Sequence, residues 1–473
     1  MGGRDTAGED KGRVAAEQVA AIVARARAAQ AAYAKWPQER VDEAAFACGW
    51  AIMKPENNRL LAELAVRDSG LGNVEDKVAK NHRKTLGLLR DIAGVKTVGV
   101  IAEYPEKGIT EIARPVGVVG AITPSTNPGA TPANMIVNAL KCANAIILAP
   151  SPKGYSTGEK LVEFVHEGLA KVGAPGDLVQ LLPAPVTKLA THALMRQCDL
   201  VAATGSRANI RAAYSSGTPA IGVGAGNAVS IVDPSADLAD AAAKIARSKT
   251  FDNATSCSSE NAVVILAPAY DAMLAELAKQ GGVMLDAAEK QKLARLMFPD
   301  GKLGPAATAQ SAERIAQLAG IGRHGRFFMV AETGTGPSCP FSGEKLAPVL
   351  AVYKARDFDE AFALASRIYD YQGKGHSVSI HTRDEAQVRR LGMEMEVARV
   401  IVNQAHCIAT GGSFDNGLPF SLSMGCGTWG GNSFSDNMHW RHFLNITRIA
   451  RVIPEKVPTE AEIFGAFFAK FGR

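Results

Sequence analysis

The feature that most constrains this chain lies between Pro115 and Val232, where short apolar runs alternate with helical stretches. The runs are VGVVGAI (116–122), AIILA (145–149), LVQLL (178–182), LVAAT (200–204) and AVSIV (228–232). Helical spacing fills 132–143, 156–171 and 206–215. Strands apolar on both faces, each followed by a helical crossover, predict a parallel sheet covered by helices on both sides. A second set follows after a further helix beyond Asp237: AVVIL (262–266), PVLAVY (348–353), SVSIH (377–381) and RVIVN (399–403). A chain of 473 residues is long enough for two cores. The fold class expected is therefore α/β with two parallel-sheet domains, and no repeat of 20–50 residues is visible.

The flanks differ. Residues 1–12 are Gly-rich and charged and are expected to fray, and 13–33 is an Ala-rich amphipathic helix stopping near Trp36-Pro37. Helical pattern continues over 38–96, with Gly70 and Gly72 as a stop. The 97–114 segment alternates around a Pro-Glu-Lys-Gly turn and predicts a β-hairpin. Residues 411–437 are loop-like, and 443–453 is a last strand. Thr459 and Glu462 then predict a capping box. The stripe Ile463, Phe464, Phe467, Phe468 and Phe471 on that last helix is expected to be core or a subunit contact.

Composition narrows the partners. Apolar residues make up 47% and charged residues 21%, with a net charge of +5 spread along the chain. A dispersed charge without basic blocks argues against nucleic acid. No run of about 18 apolar residues predicts a membrane span. The seven cysteines contain no CxxC pair, and the N-terminus lacks a signal pattern, so a cytoplasmic protein with reduced thiols is expected. Neither the cysteines nor the nine histidines show metal-ligand spacing, and no metal is expected.

Parallel sheets bind ligands at the carboxyl ends of their strands. Three loops fall there: Thr123-Pro124-Ser125-Thr126-Asn127-Pro128, Ala149-Pro150-Ser151-Pro152-Lys153-Gly154, and Thr204-Gly205-Ser206-Arg207. The last opens a helix with a capping Ser and is suited to an anion. No GxGxxG occurs. Asn127 carries an amide that can donate to an oxyanion. Cys257 sits in a small polar turn, KTFDNATSCSSE (249–260), directly before a strand, where a thiol can act as a nucleophile.

Taken together, the segments ARPVGVVGAITPSTNP (113–128), NAIILAPSPK (144–153), ATGS (203–206), GVGAGN (222–227), KTFDNATSCSSE (249–260), EKLAPVLAVYKARDFDEA (344–361) and GCGTWGGNS (425–433) resemble the CoA-acylating branch of the aldehyde dehydrogenase superfamily. The resemblance implies two Rossmann-like domains and an oligomerisation arm. Residues 1–96 and 114–226 would bind the cofactor, 227–437 would form the catalytic domain, and 97–113 with 438–473 would form the arm and tail of a homodimer or homotetramer. It implies Cys257 as nucleophile, with Asn127 and the Cys257 N–H as the oxyanion hole. The implied cofactor set is Thr123, Pro124, Pro150, Lys153, Gly205, Ser206, Gly224 and Glu344, the last on the nicotinamide ribose.

Two departures from the hydrolytic relatives matter. Those enzymes carry Glu-Leu-Gly-Gly, whose Glu activates water; here the aligned residues are Val223-Gly224-Ala225-Gly226. Valine cannot accept a proton, whereas the CoA thiol is a competent nucleophile near neutral pH. Where they place Lys and Glu at the adenosine ribose, this chain has Ala149 and Pro152, with Lys153 beside them. NADP is expected over NAD, with CoA as co-substrate. The 403–417 segment resembles that of acylating enzymes for small anionic aldehydes, sulfoacetaldehyde before succinate semialdehyde, and His406, Thr410 and Ser413 are the expected substrate contacts. The alternatives are acetaldehyde or propionaldehyde as substrate, a hydrolytic dehydrogenase, and an inert protein of the same fold.

Overall fold

The computed structural model describes residues 6–473. The expected frayed segment 1–12 is corrected in part. Residues 1–5 lie outside the described residues, and a helix runs from Thr6 to Tyr33, so Ala-rich propensity extends through the charged start. Three more helices follow, Gln38–Met53, Pro55–Ser69 and Val74–Ile92. Gly70, at φ 68°, ends the third of these four helices in a left-handed cap.

The strands fall into three sheets. The first parallel sheet comprises β3 (Val118–Thr123), β4 (Ala145–Pro150), β5 (Val179–Leu181), β6 (Leu200–Thr204) and β7 (Ala220–Val223). Their spatial order is β5-β4-β3-β6-β7. Chain order reverses at β3, whose Ala121 pairs with Leu148 on one side and Ala202 on the other. That reversal opens a crevice beyond the strand ends, the standard ligand position of such sheets. All residues of β3 and β4 are buried, as their unbroken apolar runs require.

The second sheet comprises β8 (Ala228–Val232), β9 (Glu260–Leu266), β10 (Gly282–Met284), β11 (Phe327–Ala331), β12 (Val349–Ala355), β13 (Val378–His381) and β14 (Val400–Val402). It is also parallel, in the order β10-β11-β12-β9-β8-β13-β14. Strands β7, β10 and β11 were not among the runs read from the sequence, and β8, grouped there with the first set, belongs to this second sheet. The third sheet is antiparallel: β1 (Gly99–Tyr104) and β2 (Ile109–Pro115) form the hairpin, and β15 (Leu444–Ala450) pairs with β2. The terminal helix Glu460–Phe471 begins with the Thr459/Glu462 capping box. Its Ile463, Phe464, Phe467 and Phe471 are exposed, so the stripe is not core within one chain.

Candidate active site

Helix Leu238–Thr250 ends short of β9, and the link between them carries Cys257. Asp252, Asn253 and Ala254 all take positive φ, at 50°, 50° and 60°. Consecutive left-handed residues other than Gly are strained and persist only where surroundings fix them. Asp252 provides the fixing. Its buried carboxylate accepts from Lys77 Nζ at 3.0 Å, Lys80 Nζ at 2.5 Å, Thr255 Oγ1 at 2.7 Å and the Asn73 N–H at 3.0 Å. Burial opposes its ionisation, but Lys80 and Lys77 outweigh this and hold its pKa below the ordinary carboxylate range. The other wall of the turn is Gly226, where a Cβ would collide with the Cys257 carbonyl and crowd the His376 ring.

Cys257 Sγ lies 3.3 Å from His376 Nε2. The other ring nitrogen, Nδ1, is 2.7 Å from Ser377 Oγ, which is 2.8 Å from His406 Nε2. The thiol, two imidazoles and a hydroxyl form one connected chain. His406 Nδ1 and both Glu260 carboxylate oxygens are buried without a hydrogen-bond partner. Glu260 lies beside His406 and Ser248, and its pKa is pushed up to about 7 by burial. Burial pushes the Cys257 thiol up, helped by Glu344 and Cys426, while its own N–H and Arg399 oppose. Burial and then Arg399 pull His376 down to about 3, so its imidazole is neutral. Lys249 is buried and donates to the Glu260 carbonyl at 2.7 Å, not to the thiol.

A cavity of about 470 Å³ opens above Cys257. It is lined by Thr123, Pro124, Asn127, Gly205, Ser206, Gly224 and Glu344, bringing these expected residues to the thiol. Asn127 Oδ1 accepts from Lys80 Nζ at 2.7 Å, which fixes the amide and leaves its NH₂ free to donate. Ser206 caps helix Arg207–Tyr214 through the Asn209 N–H, so the helix N-terminus faces the cavity beside Gly205. Glu344 accepts from the Gly226 N–H, and burial raises its pKa to about 8. A carboxyl group, a capped helix N-terminus and strand-end loops in one crevice fit a dinucleotide.

The remaining expected residues are placed elsewhere. Pro150 and Lys153 flank the lining residue Ser151 without lining the cavity themselves. His406, Thr410 and Ser413 do not line it either. His406 is fully buried behind His376, Thr410 Oγ1 donates to the His406 carbonyl at 2.8 Å, and Ser413 Oγ accepts from Arg83 at 3.3 Å. Val223 is buried at the end of β7, and Gly224 and Ala225 form the wall next to it. Sequence reasoning missed His376, and also Lys80, Arg83 and Lys84, which line the cavity. A signal existed for the lysines. Lys77, Lys80 and Lys84 occupy one face of helix Val74–Ile92, and that face is the buried one. Outside the cavity lining, Asp436, His439 and His442 bring their ligand-type atoms within 4.8 Å of one another. This is a cluster the linear spacing did not suggest. The His439 N–H donates to His442 Nδ1 there, a pairing that also starts a 3₁₀ turn.

Two α/β sheets, an antiparallel arm and a cysteine at their junction define a dehydrogenase architecture. The sequence profile of the Aldehyde dehydrogenase family matches residues 9–332, and the chain belongs to that family. It is 62% identical over 98% of its length to the acylating sulfoacetaldehyde dehydrogenase of Cupriavidus necator, covering 94% of that protein. A second relative, the acylating sulfoacetaldehyde dehydrogenase of Bilophila wadsworthia, is 43% identical, covering 95% of this chain and 98% of that one. Among solved structures, an acetylating aldehyde dehydrogenase from Geobacillus thermoglucosidasius superposes with a TM-score of 0.91 at 35% identity, over 95% of this chain and 99% of that one.

Proposed function

We propose that this aldehyde dehydrogenase is CoA-acylating and acts on sulfoacetaldehyde, interconverting aldehyde, CoA and NADP⁺ with sulfoacetyl-CoA, NADPH and a proton. The observation that carries this reading is the contact at 3.3 Å between the buried His376 and Cys257, which lines a cavity whose one acidic lining residue, among the described residues, is Glu344. A nucleophile with its own base, and no carboxylate at position 223, suits transfer to a thiol over hydrolysis.

In the oxidative direction the Cys257 sulfur bonds to the aldehyde carbon, and its proton passes to His376 Nε2. For Nε2 to accept, Nδ1 must carry the other proton and donate to Ser377 Oγ, whose hydroxyl donates to His406 Nε2. Ser377 and His406 thus hold the tautomer that a base requires. The Asn127 NH₂ and the Cys257 N–H meet the oxyanion. A bound nicotinamide would supply the hydride acceptor for the thiohemiacetal carbon, and Glu344 and the Gly205–Ser206 turn, which line the same cavity as Cys257, would hold it there. His376, kept neutral by burial, passes that first proton on to solvent; when the CoA sulfur attacks the thioester, the imidazole takes the CoA thiol proton and hands it to the departing Cys257 thiolate.

NADP is favoured over NAD by Lys153, which is exposed just past β4, and by the absence of any acidic side chain between 149 and 154. A 2′-phosphate there would meet a cation and no carboxylate. The arm of β1, β2 and β15, with the exposed apolar stripe beyond it, supports assembly as a homodimer or homotetramer. The test is a kinetic panel of sulfoacetaldehyde, succinate semialdehyde, acetaldehyde and propionaldehyde with CoA and each nucleotide. The expected result is highest kcat/KM for sulfoacetaldehyde with NADP⁺. Highest efficiency with an uncharged aldehyde would sink the substrate assignment.

A further inference from the structure

Four cations line the cavity: Lys80, Arg83, Lys84 and Arg207. Lys80 is matched by Asp252, and Arg207 stands at the dinucleotide end, where it acts on Glu344. Arg83 and Lys84 differ. Among the described residues neither is in an ion pair. Arg83 Nη2 donates to the Ile408 carbonyl at 2.9 Å, the Gly412 carbonyl at 3.2 Å and Ser413 Oγ at 3.3 Å. Lys84 Nζ donates to the Gly411 carbonyl at 2.5 Å and the Gly412 carbonyl at 3.4 Å. Every partner is a neutral oxygen of one short segment, 408–413. The Phe420 ring lies 5.6 Å from the Arg83 guanidinium and 5.5 Å from Lys84 Nζ.

Burying a cation without a counter-charge is costly. Burial here pulls both side chains toward the neutral form. The carboxylates that act on them are placed to attract, not to neutralise. Asp415, felt by Arg83, is held by Ser413 at the surface, and Asp91, felt by Lys84, accepts from the Phe420 N–H at 2.7 Å. Donor capacity is left over: Arg83 Nη1 and Nε, and the third N–H of Lys84, have no partner among the described residues. An anion brought by a ligand supplies both the charge and the acceptors.

Building on the proposed activity, we infer that Arg83 and Lys84 form the substrate's anion subsite, grip the sulfonate of the aldehyde while Cys257 meets its carbonyl, and set the preference for charged over uncharged aldehydes. A sulfonate stays ionised at all working pH and offers three acceptor oxygens to this fork and ammonium. The 408–413 carbonyls and Ser413 Oγ hold the two cations in place, so this loop acts on specificity through Arg83 and Lys84 and not by contacting the substrate itself. That reassigns the role first expected of His406, Thr410 and Ser413.

Two readouts test it. Arg83→Gln and Lys84→Met should each lower the ratio of kcat/KM for sulfoacetaldehyde to that for propionaldehyde by about 10–100-fold, the worth of one charge-assisted hydrogen bond. Arg83→Lys should recover part of it. Parallel loss with both aldehydes, or an unchanged ratio, would overturn the inference in favour of a purely structural role. The second readout needs no turnover. Ethanesulfonate should slow iodoacetamide labelling of Cys257 in the wild type and not in Arg83→Gln, or in Lys84→Met should the former fail to fold. Absence of protection in the wild type would also overturn it. If no aldehyde supports CoA-dependent reduction of NADP⁺, the proposed activity falls, and the protection assay still decides for or against the subsite.

Discussion

Replacing His376 by Gln tests the catalytic arrangement at its narrowest point. Burial and Glu344 push the Cys257 thiol up, so at neutral pH the resting site holds a thiol, not a thiolate. His376 is pulled down to about 3, so it is neutral and cannot hold a thiolate as an ion pair. The imidazole must therefore take the proton as the carbon–sulfur bond forms. General-base catalysis of that kind contributes about 10²–10⁴-fold, or roughly 3–5 kcal/mol of barrier. His376→Gln should lower both kcat/KM and the alkylation rate of Cys257 by iodoacetamide within that range. Labelling is followed by peptide mass spectrometry, with Cys339 as internal reference, since it is the other cysteine that is not buried. In the wild type the alkylation rate should climb through pH 7–9 without a plateau near pH 6. A plateau near pH 6 would reveal a thiolate–imidazolium pair, and a His376→Gln rate within about threefold of wild type would remove the base from the mechanism.

Asn127→Ala should cut kcat by about 10²–10³-fold while leaving alkylation of Cys257 unchanged, because an oxyanion donor acts on the carbonyl and not on the thiol. Lys80→Met breaks one of two buried ion pairs to Asp252 and unfixes the Asn127 amide; because Lys77, Thr255 and the Asn73 N–H still hold Asp252, urea unfolding should show a loss of about 1.5–3 kcal/mol together with an activity loss resembling Asn127→Ala. Glu344, at about 8 in the folded chain against roughly 4.3 when unfolded, binds an extra proton in the folded state between those values. Its contribution to stability is therefore full below about pH 4, falls as pH rises to about 8 and then levels. Glu344→Gln should flatten the stability profile in that window by up to about 1.4 kcal/mol per pH unit, measured by denaturant unfolding.

The parallel-sheet organisation was legible because its strands are continuous apolar runs separated by helical spacing, a pattern that sterics and burial allow few folds to satisfy. Strands β10 and β11 were not legible. The first has three residues, and the second is set off from the helix Ala312–Ala319 before it by the Gly-containing link 320–326. Cys257 and Asn127 could be named because the motifs around them resemble those of the acylating family; residue type alone does not choose among seven cysteines. His376 could not, since 119 positions separate it from the thiol it meets and nothing in its local sequence points there. Arg83 and Lys84 lie in the 38–96 stretch, which reads from sequence only as helical pattern. The spacing of Lys77, Lys80 and Lys84 sets them on one face, but packing is needed to show that this face points inward, two of them toward Asp252 and one toward backbone carbonyls. His406 fell in the expected loop but points back to Ser377, because a loop's sequence sets its composition and not its direction.

The central claim is that the Cys257 thioester awaits CoA and not water. Mixing enzyme, sulfoacetaldehyde and NADP⁺ without CoA, and following NADPH by absorbance, tests it directly. The account predicts a burst of at most one NADPH per active site, a stall with the acyl group on Cys257, and turnover on adding CoA. Steady NADPH production without CoA would contradict it.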